Sequence, residues 1–160
     1  MKLFLLVAIL IISVLAASAC ITINTTPSVI PPSTVPSTTA EPEPEFPFEN
    51  INWILKEYGK EGVTKSPLEG KEVTARFDSV AGKVSGSAGC NSYNATYFQS
   101  GNVLTIGSVI STKMLCKPEA IMQQEIQFTD SLHNARTFKA DATTLRIMCS
   151  EDRVLIFTTK

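Results

Sequence analysis

No Cys-x-x-Cys pair occurs in the 160 residues, histidine occurs once, and no segment gathers its basic residues into a stripe. Each absence closes a class of function. Without Cys-x-x-Cys there is no thioredoxin-like redox motif. His133 stands at no metal-ligand spacing from any of the four cysteines, so no metal site is assigned. With 14 Lys and Arg against 15 Asp and Glu, the formal net charge is −1, and nucleic acid is excluded as a partner. No repeat of solenoid period is present. No nucleophile is accompanied by a histidine, and Glu125 has no second carboxylate beside it in the pattern. The chain is therefore read as a non-enzyme with no catalytic residues and no cofactor.

A different scarcity marks residues 21–48, which contain no Gly, Lys or Arg but hold seven of the nine prolines and nine Ser or Thr. Such a segment buries too little apolar area to offset its ordering entropy. Its prolines favour extended polyproline II, so it reads as a semi-stiff spacer. At about 3.1 Å per residue it reaches roughly 80 Å. Before it, Lys2 and an apolar run over residues 3–12 lead through small residues to Ala17-Ser18-Ala19-Cys20. This layout is that of a secretory signal. It resembles a lipoprotein signal, which implies that the Cys20 thiol is acylated with diacylglycerol and becomes the new N-terminus. Two other readings share the same residues. Ala17-Ser18-Ala19 is itself a signal-peptidase site, and residues 3–19 could stay as an uncleaved anchor, short for a bilayer span. All three readings put residues 21–160 outside the cytoplasm. The expected organisation is a signal at 1–19, a lipidated Cys20 and disordered tether at 20–49, and a domain at 50–160. The chain is expected to be a monomer anchored to a membrane by lipid.

Within the domain, Val73-Thr74-Ala75-Arg76-Phe77 alternates as a half-buried strand does. Residues 80–89 are rich in Gly, Ser and Ala, so a strand there is expected to be exposed or bulged. Residues 91–98, 103–106 and 109–110 read as further strands, and Gly59 and Gly62 as turn punctuation. Pro118-Glu119 begins a helix, with Ile121, Glu125, Phe128, Leu132 and Ala135 spaced four, three, four and three apart on one stripe. Glu125 on that stripe is read as a carboxylate accepting hydrogen bonds from strand backbone or from Thr112. Three last strands come after the helix, the final pair turning at Ser150-Glu151-Asp152. The fold class is α+β, with an antiparallel, barrel-like sheet wrapped around one helix. Trp53 is read as core, and His133 as a surface or cap-proximal residue. Asn91 and Tyr93, beside the Gly-rich segment, are candidates for lining a binding groove, although Asn also suits a turn.

Gly89-Cys90-Asn91-x-Tyr93 followed by Thr112-x-Met114-x-Cys116, with Trp53, Gln124-Glu125, Phe128, Leu155 and Phe157, resembles the META domain of HslJ-like lipoproteins over about residues 52–158. Two positions depart from its pattern: Ala95 stands where a glycine is usual and Leu115 where an alanine is usual. The resemblance implies a small, mostly β, frequently envelope-anchored protein of a family linked to stress, with no established reaction. Partners consistent with it are an envelope protein or a small ligand, the latter fitting a tethered inhibitor or ligand-binding module. It also implies a Cys90–Cys116 disulfide, the other pairings with Cys149 staying open. Cys149 continues the alternation of Leu145 and Ile147 and is read as a buried apolar thiol.

Overall fold

The computed structural model describes residues 46–159. The signal at 1–19, the lipidation site Cys20 and nearly all of the tether lie outside the described residues.

Within this span, ten strands and one helix run in order: β1 (Asn52–Lys60), β2 (Val63–Lys65), β3 (Thr74–Asp78), β4 (Lys83–Ser87), β5 (Ser92–Ser100), β6 (Val103–Ile106), β7 (Ile110–Ser111), α1 (Glu119–His133), β8 (Ala135–Ala140), β9 (Thr144–Cys149) and β10 (Arg153–Thr158). Eight of the strands form a ring in the order β1-β3-β4-β5-β6-β8-β9-β10, which closes where β10 pairs antiparallel with β1. Closure removes the free sheet edges that an open sheet would expose. β2 adds to β1 and β7 adds to β5 outside the ring. The fold is thus an antiparallel eight-stranded barrel with one helix, as the sequence predicts.

Alternation fills the barrel. Trp53, Leu55, Ala75, Phe77, Val84, Tyr93, Ala95, Leu104, Ile106, Leu145, Ile147, Leu155 and Phe157 all form one buried cluster. Two aromatic groups anchor it. Phe48 sits among Phe77, Tyr97 and Phe138, with ring centroids 4.9, 6.3 and 4.3 Å away. Phe128 of α1 meets Tyr93 and Phe157 edge-on at 5.3 and 6.3 Å. The apolar stripe of α1 faces inward, as its spacing requires, with Ile121, Phe128 and Leu132 buried. Pro118 is the N-cap and Glu119 the acid of the first turn.

Three expectations change. Phe48 is buried and its carbonyl accepts the Trp53 indole N–H at 2.7 Å, so the folded unit begins before residue 50. Gly59 is no turn: β1 runs through it, paired with Thr64 and Val154, and the turn lies at Glu61-Gly62. β4 is neither bulged nor wholly exposed. Its register with β3 and β5 is unbroken and Val84 is fully buried.

Candidate functional site

The Gly-Cys-Asn and Thr-x-Met-x-Cys segments meet in space. After β4 the chain turns at Gly89, whose φ of 103° suits glycine. A Cβ built there would lie 2.6 Å from Gln124 Nε2, so the missing side chain also lets the helix approach. Cys90 is disulfide-bonded to Cys116, Cα to Cα 6.1 Å, which pins the start of β5 to the segment leading into α1.

Asn91 is the hub. Its backbone N–H and its Nδ2 donate to Glu125 Oε2 at 3.1 and 3.0 Å. Its Oδ1 accepts from Thr112 Oγ1 at 2.7 Å and from the Met114 N–H at 2.8 Å, and Nδ2 also donates to the Met114 carbonyl at 3.1 Å. One amide therefore mimics a strand partner for the 112–114 segment and docks the helix carboxylate. Of the two expected donors to Glu125, backbone at the start of a strand is found, the Asn91 N–H just before β5, and it is joined by the Asn91 side chain; Thr112 instead donates to Asn91. Gln124 completes the brace: its Oε1 accepts the Leu68 N–H at 2.7 Å and its Nε2 donates to the Lys71 carbonyl at 3.4 Å. Sequence reasoning missed Gln124 as a bracing residue. Its place three residues after Ile121, on the edge of the apolar stripe, was the available signal.

Tyr93 is held by a second local device. Gly86 lies opposite it across β4 and β5, and a Cβ on Gly86 would fall 2.0 Å from the Thr74 carbonyl oxygen. That carbonyl accepts the Tyr93 hydroxyl at 2.8 Å. Burial pushes the Tyr93 phenol far above its ordinary range, since the phenolate would be stranded in the core.

The two residues read as groove-lining are thus internal. Asn91 is 1% exposed and Tyr93 2%, and their polar atoms are taken up by protein partners. The physical reason is the fixed cost of burying an unpaired amide or hydroxyl, which the brace removes. Cys149 is a free, buried thiol, pushed up to about 12 chiefly by desolvation. His133 ends α1 and donates from Nδ1 to the Gly107 carbonyl at 3.0 Å. Among the described residues no group of three His, Cys, Asp or Glu is arranged to hold a metal ion.

Among the described residues, two surface depressions bear on ligand binding. One, of about 350 Å³, lies over Gly86 on the outer face of β1, β3 and β4, among Asn52, Ile54, Glu72, Arg76 and Ser85. Arg76 there donates from Nη1 to the Asn50 carbonyl at 2.8 Å. The other is shallower, about 400 Å³, between Val109 and the α1 residues Ile126, Asp130 and His133. No helix of the described residues is long and apolar enough to cross a membrane.

Solved structures share the fold. A protein from Burkholderia xenovorans, determined by NMR, superposes with a TM-score of 0.59 at 20% identity, over 78% of this chain and 96% of that one. A crystal structure of a DUF4847 family protein from Bacteroides vulgatus gives 0.51 at 13% identity, over 71% and 94%. No curated protein matches the sequence. The model of the META domain matches residues 47–160, a span that takes in Phe48, the Cys90–Cys116 staple and the Asn91–Glu125 brace. The chain belongs to the META domain family.

Proposed function

We propose that this protein is a non-enzymatic envelope lipoprotein, anchored through lipid on Cys20, whose META domain is a binding or stress-related module on the outer side of the membrane. The observation that carries the reading is the Cys90–Cys116 disulfide, because such staples persist in oxidising compartments and are rare in the cytosol. The signal-like first twenty residues agree with that address. A diacylated Cys20 would bury many methylenes at about 0.8 kcal/mol each, enough for stable mooring. The non-enzymatic part is supported by the use of the polar family positions: Asn91, Glu125 and Gln124 are committed to holding the helix on the barrel. The META domain family is not known as an enzyme family.

The test is metabolic labelling with a fatty acid in the protein's own cell, together with membrane flotation. The wild-type chain should carry label and float, and Cys20→Ser should do neither. An unlabelled wild type recovered free of membrane would overturn the anchor.

A second reading is a tethered small-ligand module, favoured by the depression over Gly86. Its volume is in the range of small-molecule sites, and it sets the apolar Ile54 beside Arg76 and Glu72. If a ligand sits there, Arg76→Ala should weaken its binding without unfolding the barrel.

A further inference from the structure

The residues between β7 and α1 form the least comfortable piece of surface on the domain. Leu115 is 93% exposed and Met114 56%, side by side at the tip of this loop. Lys113 and Lys117 flank them, both exposed. The ion pairs among the described residues join Arg146 to Glu61 and Arg153 to Asp130 and Glu151, so neither lysine is engaged in one. Glu119, at the start of α1, is the nearest acid in sequence.

This loop is not slack. The Thr112 N–H donates to the Ser92 carbonyl at 3.0 Å, and Asn91 grips Met114 from both sides, N–H and carbonyl. Cys116 ties the far end to Cys90. The apolar pair is therefore presented by a braced backbone, and docking would cost little further ordering entropy. Two adjacent apolar side chains flanked by free ammonium groups match the headgroup boundary of an anionic bilayer, where the apolar tips enter the acyl region and the lysines meet phosphate.

We propose that the loop of residues 112–117 docks on an anionic lipid surface, with Leu115 and Met114 inserted and Lys113 and Lys117 on the headgroups. In the cell this deepens the lipid-anchored reading and rests on it for proximity: a tether makes the loop's contact intramolecular, so a weak lipid affinity suffices. Docking would orient the barrel. The β3–β4 turn, where Val80 is 96% exposed, lies beside Tyr97 rather than Asn91, since the Gly82 carbonyl accepts the Tyr97 N–H at 3.0 Å. Six residues of extended strand separate Asn91 from Tyr97, about 20 Å, so this turn would stand off the membrane.

The experiment places an indole at either site in the full chain, Leu115→Trp or Val80→Trp, and mixes it with vesicles whose lipid tails are brominated quenchers. Trp53 is buried and serves as the constant background. With phosphatidylglycerol in the vesicles, the indole introduced at 115 should be quenched and the one at 80 should not. High salt, pure phosphatidylcholine, or the pair Lys113→Gln and Lys117→Gln should each lower the docked-to-free ratio at 115, the lysine pair by about tenfold or more. Flotation at high salt, which weakens the lysine contacts of the loop but not an acyl anchor, reads the anchor separately. A chain that floats with no quenching at 115 overturns loop docking and leaves the anchor standing. Quenching at 115 in low salt without flotation in high salt upholds the loop and removes the anchor. Equal quenching at both positions, no difference between phosphatidylglycerol and phosphatidylcholine, or crosslinking of the loop to a protein with no quenching overturns the proposal.

Discussion

Asn91 and Glu125, 34 residues apart in sequence, are joined by two hydrogen bonds to a single oxygen: Glu125 Oε2 takes both the Asn91 N–H and its side-chain Nδ2. This pair couples the barrel to its helix. Because Asn91 also grips Met114 and Thr112, removing its amide takes one donor from the buried Glu125 and the partner from the part-buried Thr112 hydroxyl and Met114 N–H. Asn91→Ala should cost about 3 kcal/mol in urea unfolding. A double-mutant cycle with Glu125→Ala should give a coupling of about 2 kcal/mol. A coupling near zero would mean that the helix docks without this bond.

Gly86→Ala should be among the most damaging single changes. The new Cβ meets the Thr74 carbonyl at 2.0 Å, and backbone on both strands has to move. A loss of about 3 kcal/mol is expected, whereas the exposed neighbour change Ser85→Ala should stay within about 0.5 kcal/mol. Thermal unfolding of the two variants checks the contrast.

The disulfide closes a loop with a sequence separation of 26. In the chain-entropy model, replacing both Cys90 and Cys116 by Ala should lower stability by about 3.5 kcal/mol. Denaturant titration of the double variant against the oxidised wild type measures it.

Alkaline pH should weaken the fold. Burial raises Cys149 from 9.0 to about 12, so between those values the unfolded chain has released a proton that the native chain keeps. The unfolded state then binds fewer protons, and stability falls as pH rises through that window. Tyr93 and Tyr97 are raised as well and push in the same direction, Tyr97 through burial and its contact with Glu49. Cys149→Ala should flatten part of the fall in unfolding free energy measured from pH 9 upward. An unchanged slope would show that the thiol does not report on folding.

Local pattern carried much of this fold and little of its site. The alternation at Thr74–Asp78 and the four-three stripe on α1 are short-range periodicities, and both elements lie where those periods put them. Phe48 was hidden because it follows Pro47 in a proline-rich stretch. Its burial comes from rings at Phe77 and Phe138, remote in sequence. Gly59 looked like a turn because composition alone does not show that β1 continues through it to pair on both sides. Asn91 was ambiguous for a related reason. A polar residue beside glycines can line a groove or brace a core, and the partner that decides it lies on the helix.

An envelope lipoprotein of this kind spends its mature life outside the cell interior, stapled between Cys90 and Cys116 and acylated at Cys20. A thiol count decides whether this chain does so. Protein is taken from intact cells, acid-quenched, unfolded and alkylated with a mass tag before any reduction. One tagged thiol is expected, Cys149, with two more appearing after reduction. A chain that takes the tag at Cys90 and Cys116 without reduction would contradict the envelope role, and a tag at Cys20 would contradict its acylation.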